Sequence, residues 1–430
     1  MSNTFEIRNG VKFCHIKNDS PVSYFGIISL NGSNFELDGE SGISHFCEHM
    51  FFKGTKSRDY NQINNELGLL GAKPNAYTSR QAVVYYATCP SFNFKKVAEI
   101  ICDMFFNSEF PLEEIEKERK VILEERAMYN DSKEHSFMEF VFEKIFGKYV
   151  GGSILGSDQN ISKIGRDDIL SFLRRTINLE NVVFVCSGPN PIEELFEAVE
   201  QFNPSEKLSK DCSEFTCLTK KLIDYPSTFK FKKDSNGHNL VYYRDEMEQA
   251  HLGINLPSLP VIVDGQLNKD TFVESVALNA FGGGMYSVLF DEVREKKGLC
   301  YGIHCSKHSL NYFSNGLAYI DSQTSYDRLP KLIDAIQSSI DKVLKEGIPQ
   351  TAFECAKANA VSSFAHNSEK SSSKVGDTSE LAFLFDKKMS TEEKLKVYDG
   401  ITIDQANDVF VKLFSSDERN VSVMMDSKYK

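Results

Sequence analysis

Two histidines and a glutamate within five residues are the part of the sequence best suited to chemistry, in the segment His45-Phe-Cys-Glu48-His49. Nothing between Gly42 and Gly54 breaks a helix, and on a helix residues i and i+4 lie on the same face. Two imidazoles so placed can bind one zinc ion through bonds of about 2.0–2.1 Å. Glu48 borders that face, where it could act as general base on a water held by the ion. The alternative is two part-exposed histidines beside an acid on an ordinary amphipathic helix.

A third ligand would have to come from another segment, and a helix starting at Pro111 offers two carboxylates. Proline is favoured in the first helical turn, and the acids that follow it suit a helix N-terminus. Glu118 and Glu125 lie two turns apart on one face, so that one could bind the ion while the other supports it. The alternative is an acidic, solvated helix surface.

The segment HFCEHMFFKGT, followed by ERKVILEE, resembles the inverzincin zinc metallopeptidases, whose signature is H-x-x-E-H. This family includes pitrilysin, insulin-degrading enzyme and mitochondrial processing peptidase, and the chain resembles its half-length, two-domain members. The resemblance implies one Zn²⁺ per chain with the ligands His45, His49 and Glu125. It also implies that Glu48 is catalytic and that Glu118 supports the ligands. Glu124 is a less suitable ligand because it lies about 100° around the helix from Glu125.

A short segment after the histidine motif, residues 71–79, resembles the NAxT strand of the same family. The resemblance implies that Asn75 and Ala76 present the backbone groups of an edge strand to an extended peptide. An ordinary loop and hairpin is the alternative.

The second half contains a glycine-rich segment, residues 282–301, that is close to another family pattern. The resemblance implies that Arg294 and Tyr301 hold the substrate backbone and stabilise the tetrahedral intermediate. Residues 151–156 resemble a further family turn, although the usual His-Pro start is missing and no catalytic consequence is evident.

Repeated features indicate that the chain contains two copies of one fold. A run that begins at Asn9-Gly10 recurs at Asn236-Gly237, an offset of 236 − 9 = 227, and similar helix-to-strand passages end both halves. We predict the α+β class, with two homologous domains that each pack a mostly antiparallel sheet against helices. The predicted boundaries are 1–205 for the zinc-binding peptidase domain, 206–235 for a linker, and 236–430 for a second domain that carries the Arg/Tyr pair. Where the first copy has its histidines, the second has residues 274–278, without metal ligands.

Several individual elements can be placed from residue patterns. Apolar residues from Val97 to Phe105 recur at the spacing of a buried helical stripe. The helix that starts at Pro111 should reach Met128, and a new helix is predicted after Asp131. Residues 83–88 and 229–232 are predicted to form strands.

Composition narrows the class of protein. The 430 residues carry 49 Lys and Arg against 61 Asp and Glu, a net charge of −12, which does not suit a nucleic-acid-binding protein and favours basic peptide partners. The 10 cysteines form no CxxC pair, so free thiols in a reducing compartment are expected. No stretch is apolar enough to cross a membrane, and a cytoplasmic location is predicted, with an organelle matrix as the alternative.

The resemblance therefore implies a zinc-dependent endopeptidase that hydrolyses internal bonds of short or unfolded peptides. Half-length relatives pair into a four-domain chamber, so a homodimer is expected in which Arg294 and Tyr301 act across the dimer. The alternatives are a non-catalytic scaffold subunit of the same fold and the catalytic subunit of a heterodimeric precursor-processing peptidase.

Overall fold

The structure is a computed structural model that describes residues 3–224, 229–235, 237–263, 266–309, 316–369, 391–416 and 418–430. Within these ranges the chain folds into two compact units. Unit 1 contains residues 3–131, 152–222 and 366–369, and unit 2 contains residues 132–151, 223–365 and 391–430. The helix over residues 133–151 therefore belongs to unit 2, although it lies between two stretches of unit 1 in the sequence.

The strands are β1 Asn3–Arg8, β2 Val11–Lys17, β3 Val22–Ser29, β4 Lys73–Thr78, β5 Val83–Pro90, β6 Val182–Gly188, β7 Leu240–Arg244, β8 Ala250–Pro257, β9 Ile262–Val263, β10 Gln266–Leu267, β11 Ile303–His308, β12 Leu317–Thr324 and β13 Asn420–Asp426.

The helices are α1 Ile43–Met50, α2 Tyr60–Leu69, α3 Phe94–Asn107, α4 Leu112–Asp131, α5 Lys133–Gly151, α6 Asp158–Ile161, α7 Arg166–Thr176, α8 Ile192–Glu200, α9 Pro204–Lys207, α10 Ser213–Ile223, α11 Asp270–Gly282, α12 Leu329–Glu346, α13 Gln350–Glu369, α14 Thr391–Gly400 and α15 Ile403–Phe414.

Unit 1 is built on a six-stranded sheet of order β1-β2-β6-β3-β5-β4, in which only the β2/β6 pair is parallel. One face of this sheet packs against helices α1 and α3. Phe25 of β3 meets Phe94 of α3 edge-on at 6.2 Å between ring centroids, and both rings are fully buried. Burying a side chain of this size contributes roughly 1.5–3 kcal/mol, so this contact helps to hold α3 on the sheet.

Unit 2 is built on a five-stranded sheet of order β11-β12-β8-β13-β7, in which only the β13/β7 pair is parallel. Its main core lies between this sheet and helices α11, α12 and α15. Phe281 of α11 stacks edge-on against Phe410 and Phe414 of α15, at 4.9 and 5.2 Å between centroids. The core thus forms on one face of the sheet, as in unit 1.

The two sheets share one topology. In unit 1 the order β2-β6-β3-β5-β4 has a parallel first pair and antiparallel pairs after it, and β7-β13-β8-β12-β11 in unit 2 repeats that order and those directions. The predicted α+β class with two related domains is confirmed. Both sheets are mixed, since each contains one parallel pair among antiparallel ones.

Most of the predicted elements are present. The helix predicted from Pro111 is α4, and α5 begins two residues after Asp131. The stripe from Val97 to Phe105 lies in α3, and residues 83–88 lie in β5. The repeat's Asn236 lies outside the described residues.

The strand predicted for residues 229–232 is wrong, because this segment joins no sheet. The side-chain amides of Asn420 and Asn239 donate to the carbonyls of Phe229 and Phe231, where a neighbouring strand would otherwise pair. The predicted linker 206–235 contains helix α10, and the domain boundaries stay a prediction. Among the described residues, the helices are all too short or too polar to cross a bilayer.

Candidate metal centre

Helix α1 directs its candidate metal-binding and catalytic residues away from the core because its other face is apolar. Ile43, Phe46 and Met50 are buried in the core of unit 1, at spacings of three and four residues. His45, Glu48 and His49 therefore face the opposite way.

The start of α1 is capped by a carboxylate from elsewhere in the chain. Gly42 precedes the helix with φ 94°, a left-handed conformation that favours glycine. The buried Glu36 accepts hydrogen bonds from the amides of Gly42 and Ser44, both at 3.0 Å. This satisfies two helix N-terminal donors and places a carboxylate at the positive end of the helix dipole. Burial nevertheless raises the pKa of Glu36 to about 8, although both hydrogen bonds and the nearby Arg175 act to lower it.

A second glycine packs closely against the start of α1. Gly156, with φ 77°, lies against Gly42, and a Cβ on Gly156 would come within 2.3 Å of the Ser41 carbonyl oxygen. A Cβ on Gly42 would in turn come within 2.8 Å of the Leu155 carbonyl oxygen. The 151–156 segment, for which the sequence indicated no catalytic consequence, thus contacts the start of the helix that carries the histidines.

The structure brings His45, His49 and Glu125 together. Glu125 Oε2 of α4 lies 3.7 Å from His45 Nε2 and 3.4 Å from His49 Nε2. One ligand atom from each of the three residues lies within 4.8 Å of the other two. Within the described part of the chain, no other group of three or more His, Cys, Asp or Glu converges in this way.

Glu118 and Lys53 hold His49 from the other side of its ring. His49 Nδ1 lies 3.0 Å from Glu118 Oε2, and Lys53 Nζ lies 2.6 Å from Glu118 Oε1. Burial acts to raise the pKa of Glu118, but the hydrogen bonds from His49 and Lys53 outweigh it and keep that pKa below its usual value. A carboxylate on the second nitrogen fixes the orientation of an imidazole whose first nitrogen binds a metal.

The two imidazoles differ in charge. Burial and the neighbouring His49 lower the pKa of His45 to about 4, against the opposite influence of Glu125. Burial also disfavours the charged form of His49, but hydrogen bonds to Glu118 and Glu125 raise its pKa to about 9. Metal binding requires a neutral imidazole, so a divalent cation would compete with the proton that Glu118 and Glu125 favour on His49.

Glu48 is anchored by a residue for which no role was predicted from the sequence. Thr78, the last residue of β4, donates a hydrogen bond of 2.6 Å to Glu48 Oε2. Burial raises the pKa of Glu48, and Glu125 acts in the same direction, whereas Thr78 and His49 lower it. Thr78 was visible in the sequence as the last letter of the NAxT pattern, but its partner is 30 residues away along the chain.

Asn75 and Ala76 lie on strand β4 at the edge of the sheet of unit 1. Strand β4 pairs with β5 on one side, where Asn75 is opposite Tyr86 and Ala76 is opposite Tyr85. Side chains alternate along β4, so that Ala76 and Thr78 face the side of α1 and Asn75 faces the other.

Arg294 and Tyr301 are adjacent in unit 2. Arg294 lies in a π-helical turn, Phe290–Glu295, and its Nε donates to the Tyr301 carbonyl at 2.7 Å. Tyr301 is 91% exposed. Both groups are thus held close together while the phenol remains accessible to a binding partner.

In unit 2 a buried ion pair occupies the position that the sequence aligns with His45. Glu274 of α11 is fully buried, and Lys307 Nζ of β11 lies 2.9 Å from its Oε2. Glu274 Oε1 also accepts from the Leu259 amide at 3.0 Å. This ion pair links helix α11 to the edge strand β11.

Comparison with known proteins fits this arrangement. Residues 13–158 match the family described as insulinase (peptidase family M16), and residues 163–360 match the peptidase M16 inactive domain. A Rickettsia bellii protein named "uncharacterized zinc protease" is 30% identical over 420 residues, which cover 96% of this chain and 95% of that protein. The chain belongs to peptidase family M16. A Bacillus subtilis protein, "uncharacterized zinc protease YmxG", is 26% identical to this M16 chain over 426 residues, 97% of each.

Solved structures agree on the fold of this M16 chain. A Helicobacter pylori structure described as a protease superposes with a TM-score of 0.81 at 18% identity, covering 99% of both chains. A Pseudomonas fluorescens structure described as a peptidase M16 inactive domain gives a TM-score of 0.80 at 17% identity, covering 99% of this chain and 98% of that one. At this level of identity the likeness concerns the fold alone.

Proposed function

We propose that this M16 chain is a zinc-dependent endopeptidase that hydrolyses internal bonds of short or unfolded peptides. The observation that carries the proposal is the convergence of Glu125 Oε2 on the Nε2 atoms of His45 and His49, 3.7 and 3.4 Å away. The names of its M16 relatives as zinc proteases support the same chemistry.

The donor set fits zinc. Two imidazole nitrogens and one carboxylate form a three-ligand set typical of catalytic zinc, which leaves a coordination position open. The second nitrogen of His49 is held by Glu118 at 3.0 Å, as expected of a metal-binding histidine. Zinc bound by such residues acts as a Lewis acid and lowers the pKa of coordinated water toward about 7.

Glu48 is proposed to move the protons. As water attacks the scissile carbonyl carbon, one of its protons passes to the Glu48 carboxylate, and the same carboxyl then protonates the leaving amine nitrogen. Burial raises the pKa of this group, which suits a residue that must both accept and return a proton near neutral pH. Thr78 keeps one carboxylate oxygen in a fixed position throughout.

Strand β4 is proposed to hold the peptide. Its outer edge can pair with an extended substrate, and Asn75 and Ala76 would supply the backbone groups. Because Thr78 on the same strand contacts Glu48, a peptide paired along β4 would pass beside the catalytic carboxylate.

The Arg294/Tyr301 pair is proposed to act on the zinc site of a partner subunit in a homodimer. Its cationic and phenolic donors would hold substrate backbone and stabilise negative charge on the carbonyl oxygen. The sequence-based expectations of an enclosed chamber and of a cytoplasmic location belong to this proposal as well.

The proposal is tested by metal analysis and peptide hydrolysis on the same preparation. Each chain should bind one zinc ion. Peptides from an unbiased quenched-fluorescence library should be cut at internal bonds. Glu48→Gln should abolish cutting while the zinc content stays unchanged, since Glu48 is not a ligand. Stoichiometric zinc with full activity in Glu48→Gln would refute the assigned base. An intact chain that neither binds zinc nor cuts peptides would instead support a scaffold role.

A further inference from the structure

The sheet of unit 2 has a polar face beneath helix α5. Residues of β8, β12 and β13 that point away from the main core are mostly polar: His251, Asn255, Tyr319, Asp321, Gln323 and Ser422. Helix α5 lies over them through Phe137 and neighbouring apolar residues. Polar side chains are rarely placed under a packed helix unless they have partners, since burying them without one costs free energy.

Between this helix and the sheet lies a partly open cavity of about 150 Å³. Gly253 in its floor allows the helix to approach, because a Cβ there would lie 3.5 Å from the Phe137 ring and 2.5 Å from Ser422 Oγ. A cavity of this size admits a ligand of about six heavy atoms, comparable with benzene. All the residues that line it belong to unit 2.

Part of the polar floor is satisfied internally. Asn255 Nδ2 donates to Ser422 Oγ at 2.8 Å, and Ser422 Oγ donates to the Gly253 carbonyl at 3.1 Å. Gln323 Nε2 donates to Glu134 Oε1 of α5 at 2.8 Å. These contacts give the side chains of Asn255, Ser422, Gln323 and Glu134 a partner without a ligand.

His251 is different, because it is only 8% exposed and makes no hydrogen bond among the described residues. Its ring meets Phe137 edge-on at 6.5 Å between centroids. Burial lowers the pKa of His251, so the ring is neutral and offers one nitrogen as an acceptor. The buried imidazole therefore faces the cavity with an acceptor that the protein leaves unused.

Asp321 adds negative charge to the same cavity. It lies on β12, and Glu134 approaches from α5. Burial raises the pKa of Asp321, and Glu134 acts in the same direction, while His304 on the adjacent strand lowers it. Lys133 is also near His251, but its ammonium donates to the Glu246 carbonyl at 3.0 Å. A cation between the two carboxylates would offset their mutual repulsion and the partial burial of Asp321.

We propose that this cavity of unit 2 binds a small organic cation of the alkylammonium class, with Asp321 and Glu134 as counter-charges and His251 as a hydrogen-bond acceptor. The Phe137 and Tyr319 rings supply apolar and cation–π contacts to the alkyl chain and the ammonium group. A metal ion is a poorer occupant because no three ligand atoms converge here within the described residues. An anion is disfavoured by the two carboxylates.

The ammonium group could come from a free amine or from a lysine side chain of a peptide. Both sources carry an alkylammonium group. The probes are n-butylammonium chloride for a free amine and Nα-acetyl-lysine amide for a lysine side chain. Binding of both probes would identify a lysine side chain as an acceptable source. Binding of butylammonium alone would restrict the source to free amines.

The test is calorimetric titration of the zinc-loaded full chain with n-butylammonium, using sodium chloride and n-butanol as controls for salt and shape. We expect saturable binding of n-butylammonium with a dissociation constant in the millimolar range, because a ligand with so few heavy atoms makes few contacts. n-Butanol should not bind. Asp321→Asn should weaken binding by about tenfold or more, because one charge partner is lost. Asp334→Asn, which removes a charge from the exposed face of α12, should leave it unchanged.

Equal binding by the Asp321→Asn and parent chains, or by butanol and butylammonium, would overturn the proposal. Because Asp321→Asn could impair folding, the ring resonances of His251 provide a second readout in the parent chain, assigned with His251→Gln. These resonances should shift on adding butylammonium and stay fixed with butanol. A titration that leaves them unmoved would exclude this cavity. None of these readouts depends on peptidase activity, so the proposal stands or falls separately from the proposed function.

Discussion

Thr78 and Glu48 join the edge strand of unit 1 to its histidine-bearing helix through a hydrogen bond of 2.6 Å. The hydroxyl contacts Oε2 of the carboxylate proposed as general base. Strand β4 and helix α1 therefore share one fixed point, at the place where substrate and proton transfer would have to meet.

Replacing Thr78 by Val should lower kcat by about tenfold with little change in KM, because a loosely held general base loses part of its usual contribution of 10²–10⁴. Thr78→Ser, which keeps the hydroxyl, should restore most of the rate. Steady-state kinetics on one peptide substrate would measure both. If Val and Ser variants behaved alike, the hydrogen bond would not position Glu48.

Substitutions of three glutamates of α4 should differ in their effect on zinc affinity. Glu125→Gln should weaken zinc binding by more than about 100-fold, since it removes a ligand, and Glu118→Gln by about 10–100-fold, since it frees the His49 ring. Glu124→Gln is the matched control, because Glu124 is exposed and adjacent in sequence, and its affinity should equal that of the parent. Competition with a chromogenic chelator gives all three constants. Weaker binding in the Glu124 variant than in the Glu125 variant would reverse the ligand assignment.

The buried Glu36 should make stability depend on pH. Its pKa rises from 4.5 to about 8 on folding, so the native state binds a proton that the unfolded chain releases between these values. Relative to Glu36→Gln, the parent should therefore lose stability as pH rises from 5 to 8.5. Urea unfolding of both proteins at the two pH values would measure the difference. A difference that stayed constant, or grew in favour of the parent with pH, would contradict the raised pKa.

Mixing two inactive variants should restore activity if the Arg/Tyr pair serves a partner's zinc site. Glu48→Gln chains keep Arg294 and Tyr301, and chains with both Arg294→Ala and Tyr301→Phe keep Glu48. In a randomly mixed twofold dimer one site in about four would be complete, so about a quarter of parent activity should return. Each variant alone is the control. No recovery from a mixture that size-exclusion chromatography shows to be dimeric would place the pair and Glu48 in the same chain.

The sequence predicted the histidine helix well because its spacing, its buried stripe and its flanking glycines all indicate the same element. Glu125 could be placed opposite that helix only through resemblance to a family, since no local pattern relates residues 76 positions apart. Thr78 and Glu36 were missed for the same reason, because each acts through a partner on another element. The strand predicted for residues 229–232 does not form, because side-chain amides donate hydrogen bonds to carbonyls of this segment. The strand propensity of individual residues takes no account of such long-range bonds.

Helix α5 lies in sequence between two stretches of unit 1 but packs on the polar face of the sheet of unit 2. A gene fragment that ended near residue 205 would therefore carry away a helix whose apolar side belongs to the remaining half. The first product would expose Phe137 and its neighbours to water, and the second would lose the cover over His251. Dividing this protein for expression should thus make both pieces prone to aggregation, unless helix α5 is fused to the later half.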